Sequence, residues 1–94
     1  MKRVDVIFAR QAKKDVKKLP IHIVTKLNDW IEQVLYDGLD EVRKIPGYHD
    51  EPLSGTRKGQ RSIRLSKGYR AFYIVDAKGN MEIVEIIEVN KHDY

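Results

Sequence analysis

The chain contains no cysteine, which excludes disulfides and thiolate zinc sites. It also lacks any apolar run long enough to cross a bilayer. Its opening Met1-Lys2-Arg3 leads into a mixed segment rather than an apolar signal core. The expectation is a soluble cytoplasmic protein without a membrane anchor. Ninety-four residues leave room for one domain, 1–94, with a modest core and no separate cofactor domain. Internal repeats, linkers and low-complexity stretches are missing as well.

Acid is missing where it would matter most: no Asp or Glu lies between Pro52 and Val75. That window holds Arg57, Lys58, Arg61, Arg64, Lys67 and Arg70, in a chain whose net charge is +4 and whose pI is near 9.4. Its apolar residues Ile63, Leu65, Ala71, Phe72 and Tyr73 fall in two short runs broken by Ser66-Lys67-Gly68. The pattern predicts two antiparallel strands joined by a tight turn, with Gly68 free to take a positive φ. So many cations in one hairpin suit a phosphate-binding surface, although a hairpin kept merely soluble by its charges has the same composition.

Elsewhere the pattern alternates between the two regular periods. Val4, Val6 and Phe8 alternate with Asp5 and Ile7, as in a strand. From Ala9 the period becomes helical: Ala9, Ala12, Val16 and Leu19 form one stripe, and Arg10, Lys13, Lys14, Lys17 and Lys18 form a cationic flank. A second helix is predicted from Pro20 to Tyr36, lined by Val24, Leu27, Ile31, Val34 and Leu35 with Ile23 and Trp30 at its edges, and stopped by Gly38. Leu39, Val42 and Ile45 give a weak further turn before Pro46-Gly47. Tyr48 to Gly59 reads as a loop. Met81 to Val89 carries apolar residues on both parities, the mark of a central strand. The order β-α-α-β-β-β describes an α+β fold, with a helical hairpin packed on one face of a small antiparallel sheet.

The elements Glu51-Pro52-Leu53-x-Gly55, Arg61-Ser62-Ile63-Arg64-Leu65, Tyr69-Arg70-x-Phe72-Tyr73 and the closing His92-Asp93-Tyr94, in this order and topology, resemble the RelE/ParE superfamily of bacterial type II toxins. Within it, the chain is most similar to the HigB- and YoeB-like mRNA endonucleases. The resemblance implies a RelE-like toxin that cuts mRNA, usually in the ribosomal A site, without metal or other cofactor. It also implies inhibition by a cognate antitoxin, HigA-like with a helix-turn-helix. Such cleavage uses the neighbouring 2′-OH as nucleophile and requires a base, an acid and cations at the phosphorus. The resemblance assigns Glu51 as base, Arg70 as phosphate stabiliser and His92 as acid, with Tyr94 stacking on a base or orienting the phosphate. Arg57, Lys58, Arg61, Arg64, Lys67 and Lys91 are the expected RNA-positioning charges.

Each assignment has a plainer rival. Glu51 has a rival reading as an ion-pair partner of Arg57 or Arg70, Arg64 as a partner of Glu85 or Glu88, and His49 as a substitute for Glu51. Asp93 separates His92 from Tyr94, where YoeB-like tails place histidine and tyrosine side by side. Two other classes stay open: a ParE-like poison of DNA gyrase without RNase activity, and a non-enzymatic basic module that binds nucleic acid.

Overall fold

The structure, a computed structural model, describes residues 3–91. Strand β1 (Arg3–Phe8) is followed by α1 (Arg10–Val16), α2 (Ile21–Asp37) and the short α3 (Leu39–Val42). Then come β2 (Glu51–Pro52), β3 (Arg61–Ser66), β4 (Tyr69–Lys78) and β5 (Met81–Lys91), with single 3-10 turns at Pro46–Tyr48 and Gly55–Arg57. The five strands form one sheet in the order β1-β5-β4-β3-β2. The expected α+β architecture is present: helices cover one sheet face.

One pairing differs from the all-antiparallel expectation. β1 runs parallel to β5, with Arg3 opposite Met81 and Phe8 opposite Ile86. A parallel pair needs a long crossover, and here everything between β1 and β5 supplies it. The sheet is therefore mixed. β5, with β1 on one side and β4 on the other, occupies the central place its two-sided apolar pattern predicted.

The core-facing side of α2 is Ile23, Leu27, Trp30 and Val34, a stripe at i, i+4, i+7 and i+11. This corrects the expected lining. Ile23 and Trp30 are central rather than marginal, and Leu35, a further ~100° round the helix, is 49% exposed. Trp30 packs on Tyr73 with ring centroids 5.2 Å apart and planes tilted by 48°. Ala12, Leu39, Val42 and Tyr48 join Ile63, Leu65, Ala71, Val84, Ile86 and Val89 around that pair. Gly38 ends α2 at φ 86, ψ 152, a region open essentially to glycine. Its N–H donates to the Val34 carbonyl (3.0 Å) and its own carbonyl accepts from Val42 N–H (3.2 Å), which turns the chain straight into α3.

Two register slips shape the sheet. Between β4 and β5, Phe72 opposes Glu88 while Tyr73 opposes Ile86, so Ile87 is an extra residue. The bulge moves the core-facing parity from Val84 and Ile86 to Val89, and it turns Glu88 and Asn90 to the face away from the helices. The Val89 N–H donates to Asp15 Oδ2 (2.9 Å), tying α1 to the strand. Between β3 and β4, Arg64 opposes Arg70 but Ser66 opposes Tyr69. This slip, together with Gly68 N–H donating to Ser66 Oγ (3.2 Å), makes the turn. Gly68 does not take the positive φ expected of it.

Candidate functional site

Strand alternation sorts the basic hairpin into two sets. Arg61, Ile63, Leu65, Ala71 and Tyr73 face the helices, and Ser62, Arg64, Arg70 and Phe72 face away. On the open face the register aligns Glu51, Ser62, Phe72 and Glu88 in one row across four strands, with Arg64, Arg70 and Asn90 in the next.

At the centre of that face, Arg70 Nη1 donates to Glu51 Oε1 (3.1 Å) and to Ser62 Oγ (3.0 Å). Arg70 is mostly enclosed, its side chain 16% exposed against 44% for Glu51. Ser62 is fully buried. The guanidinium thus stands on a hydroxyl floor, with its accompanying carboxylate at the solvent edge. Its Nε is buried with no hydrogen-bond partner among the described residues. The Arg64 side chain, opposite Arg70, makes no hydrogen bond or ion pair to another described residue, so the pair with Glu85 or Glu88 that its position allowed is not formed. His49 adopts the left-handed conformation at φ 47, ψ 50 and brings Nε2 to 3.6 Å from Glu51 Oε2. Buried Tyr48 anchors this corner, its hydroxyl accepting from Gln33 Nε2 (2.9 Å) and its ring lying 4.8 Å from Lys26 Nζ. Burial and the charge of Asp29 raise the Tyr48 pKa, and the Gln33 bond partly opposes them.

Arg57 reaches over the same face. Its Cζ lies 4.2 Å from the Phe72 ring centroid, Nη1 donates to Gln60 Oε1 (2.9 Å), and Nη2 bonds Glu88 Oε1. Glu88 Oε2 accepts from Asn90 Nδ2 (2.6 Å). Arg57 is therefore paired with Glu88, and Glu51 with Arg70.

Arg61 is set apart from the other expected RNA-facing cations. On the helix side, its Nε donates to Asp50 Oδ1 (2.7 Å), and the Tyr73 hydroxyl donates to Asp50 Oδ2 (2.5 Å). The Asp50 side chain is 1% exposed. Burial pulls the Arg61 pKa down, but the bond to and charge of Asp50 more than reverse this and leave it raised. Burial, then the Asp50 bond, pushes Tyr73 up to about 12. Successive residues Asp50 and Glu51 thus serve opposite faces, one holding the fold and the other open to solvent.

Lys58 follows the Gly55–Arg57 turn, Lys67 sits at the β3–β4 turn, and Lys91 ends β5 opposite Tyr69; all three are exposed. His92, Asp93 and Tyr94 lie outside the described residues. Asn90 pairs with Arg70, so the chain leaves β5 beside the Arg70–Glu51 pair. Among the described residues, no group of three His, Asp or Glu side chains could hold a metal ion. Nor, among the described residues, is any helix long and apolar enough to cross a membrane.

Sequence reasoning missed Ser62, Phe72 and Glu88 as members of this face. Alternation from Arg70 would have found the first two. Glu88 depends on the bulge at Ile87, which no turn residue announces.

The architecture has solved counterparts. A YoeB/ParE toxin from Agrobacterium tumefaciens is 22% identical with a TM-score of 0.70, over 95% of this chain and 99% of that one. YafQ in the E. coli DinJ–YafQ toxin–antitoxin complex is 22% identical with a TM-score of 0.74, over 96% and 93%. The Mycobacterium tuberculosis RelBE2 toxin–antitoxin complex contains a chain 25% identical with a TM-score of 0.64, over 98% and 94%. A comparison with curated proteins finds no significant match. The family model for the ParE toxin of type II toxin–antitoxin systems, parDE, matches residues 6–93, and with this fold the chain belongs to that family, as a type II toxin of the RelE/ParE superfamily.

Proposed function

We infer that this toxin is a metal-independent endoribonuclease that cuts mRNA, on the ribosome, in the cytoplasm. The observation that carries the reading is the Glu51–Arg70 pair on the open face, 3.1 Å apart, with Ser62 beneath and Arg64, which has no side-chain partner among the described residues, beside it. In the proposed reaction a substrate phosphate competes with Glu51 for Arg70 and releases the carboxylate. Glu51 then takes the 2′-OH proton, O2′ bonds to phosphorus, and the P–O5′ bond breaks as His92 protonates the departing oxygen. The products are a 2′,3′-cyclic phosphate and a 5′-OH. Arg70 and Arg64 meet the charge that builds on the phosphoryl oxygens, and Tyr94 orients the phosphate or stacks on a base. His49, beside Glu51, is placed to accept the proton that Glu51 gains. Lys58, Lys67 and Lys91 position the RNA backbone. Arg61, engaged with Asp50 on the other face, is left out of this set.

The proposed partner that silences the toxin is a cognate antitoxin, HigA-like. Its candidate docking surfaces are the exposed cationic flank of α1 (Arg10, Lys13, Lys14, Lys17 and Lys18) and the open face itself.

The test is to induce wild type, Arg70→Ala and Glu51→Gln in cells and map mRNA 5′ ends. Discrete cuts with wild type are expected, falling in rate by about 10²–10³ with Arg70→Ala, as for other lost transition-state donors. Equal cutting by both variants removes the site from the mechanism. The match to the parDE family model favours a second reading, a gyrase poison. Its mark is loss of supercoiling with intact mRNA.

A further inference from the structure

Arg57 stands within the basic hairpin, and its charge alone marks it as a phosphate contact. Its surroundings argue otherwise. Nη2 is bonded to Glu88 and Nη1 to Gln60, so the positive charge is matched locally and both terminal nitrogens already hold an in-plane partner. Among the described residues, no ring or hydrogen-bond partner covers the flat outer side of the guanidinium. Its other side lies against Phe72 at 4.2 Å, and the side chain keeps 38% exposure. A planar cation fixed against an aromatic ring, with its outer plane facing solvent, is a surface on which unpaired bases stack.

We propose that Arg57, held on Phe72 by Gln60 and Glu88, is the stacking platform for an unpaired nucleobase next to the phosphate bound by Arg70. The placement beside a scissile phosphate rests on the nuclease reading; the stacking itself does not. Phe72 follows Arg70 by two residues on the same strand and face, a separation of roughly 7 Å. One nucleotide can therefore touch both. Glu88 Oε2 and the Asn90 amide border the platform, offering acceptors and donors to the edge of the stacked base. The ligand class is single-stranded RNA, read at one base by its π-face.

Binding of short single-stranded 2′-O-methyl RNAs, which lack the nucleophile, separates this inference from catalysis. Each carries one 2-aminopurine, moved through the positions in turn. With wild type, one position is expected to show strong fluorescence quenching. Arg57→Lys keeps the charge and loses the plane, so it should abolish that quench and weaken binding on the order of tenfold, as much as Arg57→Ala. Neither variant should change the salt dependence of binding. Phe72→Leu, which preserves an apolar side chain, should weaken the quench in the same way. The proposal is overturned if Arg57→Lys binds like wild type while Arg57→Ala loses about one unit of salt slope, the behaviour of a phosphate contact. Quenching at no position also overturns it. Neither result bears on whether mRNA is cut.

Discussion

Replacing Asp50 by alanine should destabilise this protein far more than any surface charge does. The carboxylate is enclosed and accepts from two groups, Arg61 Nε at 2.7 Å and the Tyr73 hydroxyl at 2.5 Å. Removing one partner of a fully enclosed charge pair costs about 3–5 kcal/mol. Arg61 keeps 26% exposure, so water recovers part of its loss. Tyr73 is fully buried; Arg43 still bonds its hydroxyl oxygen, but the O–H loses the acceptor it donates to, and a buried donor left unmade costs about 1–3 kcal/mol. A net loss of about 3 kcal/mol follows, or a fall in Tm of roughly 12–24 °C for a domain of this size. The single tryptophan, Trp30, packs on Tyr73, so its fluorescence in a urea titration reports the region directly. Glu41→Gln is the comparator: its Lys44 bridge at 3.3 Å lies in solvent, and the change should stay within about 0.5 kcal/mol. If Asp50→Ala unfolds at the same urea concentration as Glu41→Gln, the Arg61–Asp50–Tyr73 ring is not formed in solution. Arg61 would then be free to meet a phosphate.

Three further outcomes can be checked. The Tyr73 pKa is raised from 10.0 to about 12 in the folded state. Its stabilising contribution is therefore complete below pH ~10 and lost as pH climbs towards 12, an effect of about 2–3 kcal/mol; Tyr73→Phe should remove that part of the alkaline drop in unfolding free energy. Gly38→Ala forces a Cβ into φ 86, ψ 152 and should cost about 1–3 kcal/mol in urea unfolding, with no loss if the turn relaxes freely. Ser62→Ala takes away the hydroxyl 3.0 Å from Arg70. On the nuclease reading, it should lower the cutting rate by roughly tenfold with little change in RNA affinity, whereas Ser62→Thr, which keeps the oxygen, should restore much of it.

Much of the fold was legible because single periods governed long stretches. The helical stripe through Leu27 and Val34 identified α2, and the two-sided apolar pattern of Met81 to Val89 identified a central strand. What escaped was whatever depended on the partner rather than the segment. Leu35 looked like lining until the sheet fixed which side of α2 was covered. The parallel pairing of β1 is a property of where β5 inserts, and nothing in Val4-Asp5-Val6 encodes it. The site divides the same way. Glu51 and Arg70 were named from their motifs and do meet. Arg61 shared their charge, but its odd position in β3 sends it to the helix side, where Asp50 takes it. Glu88 reaches the open face only because one extra residue, Ile87, reverses the alternation.

The strand that joins β1 to the rest of this sheet, β5, is also the last of the five to leave the ribosome. Before β5 emerges, β1 has no neighbour, Asp15 has no strand amide to accept from, and Arg57 has no Glu88 to hold it. Pairing Arg3 with Met81 closes a loop spanning almost the whole chain, which makes the final assembly slow relative to local helix formation. A chain that has not yet added β5 thus already holds the helices and the β2–β3–β4 strands that carry Glu51, Ser62 and Arg70, but lacks the strand that pairs β1 and fixes Arg57.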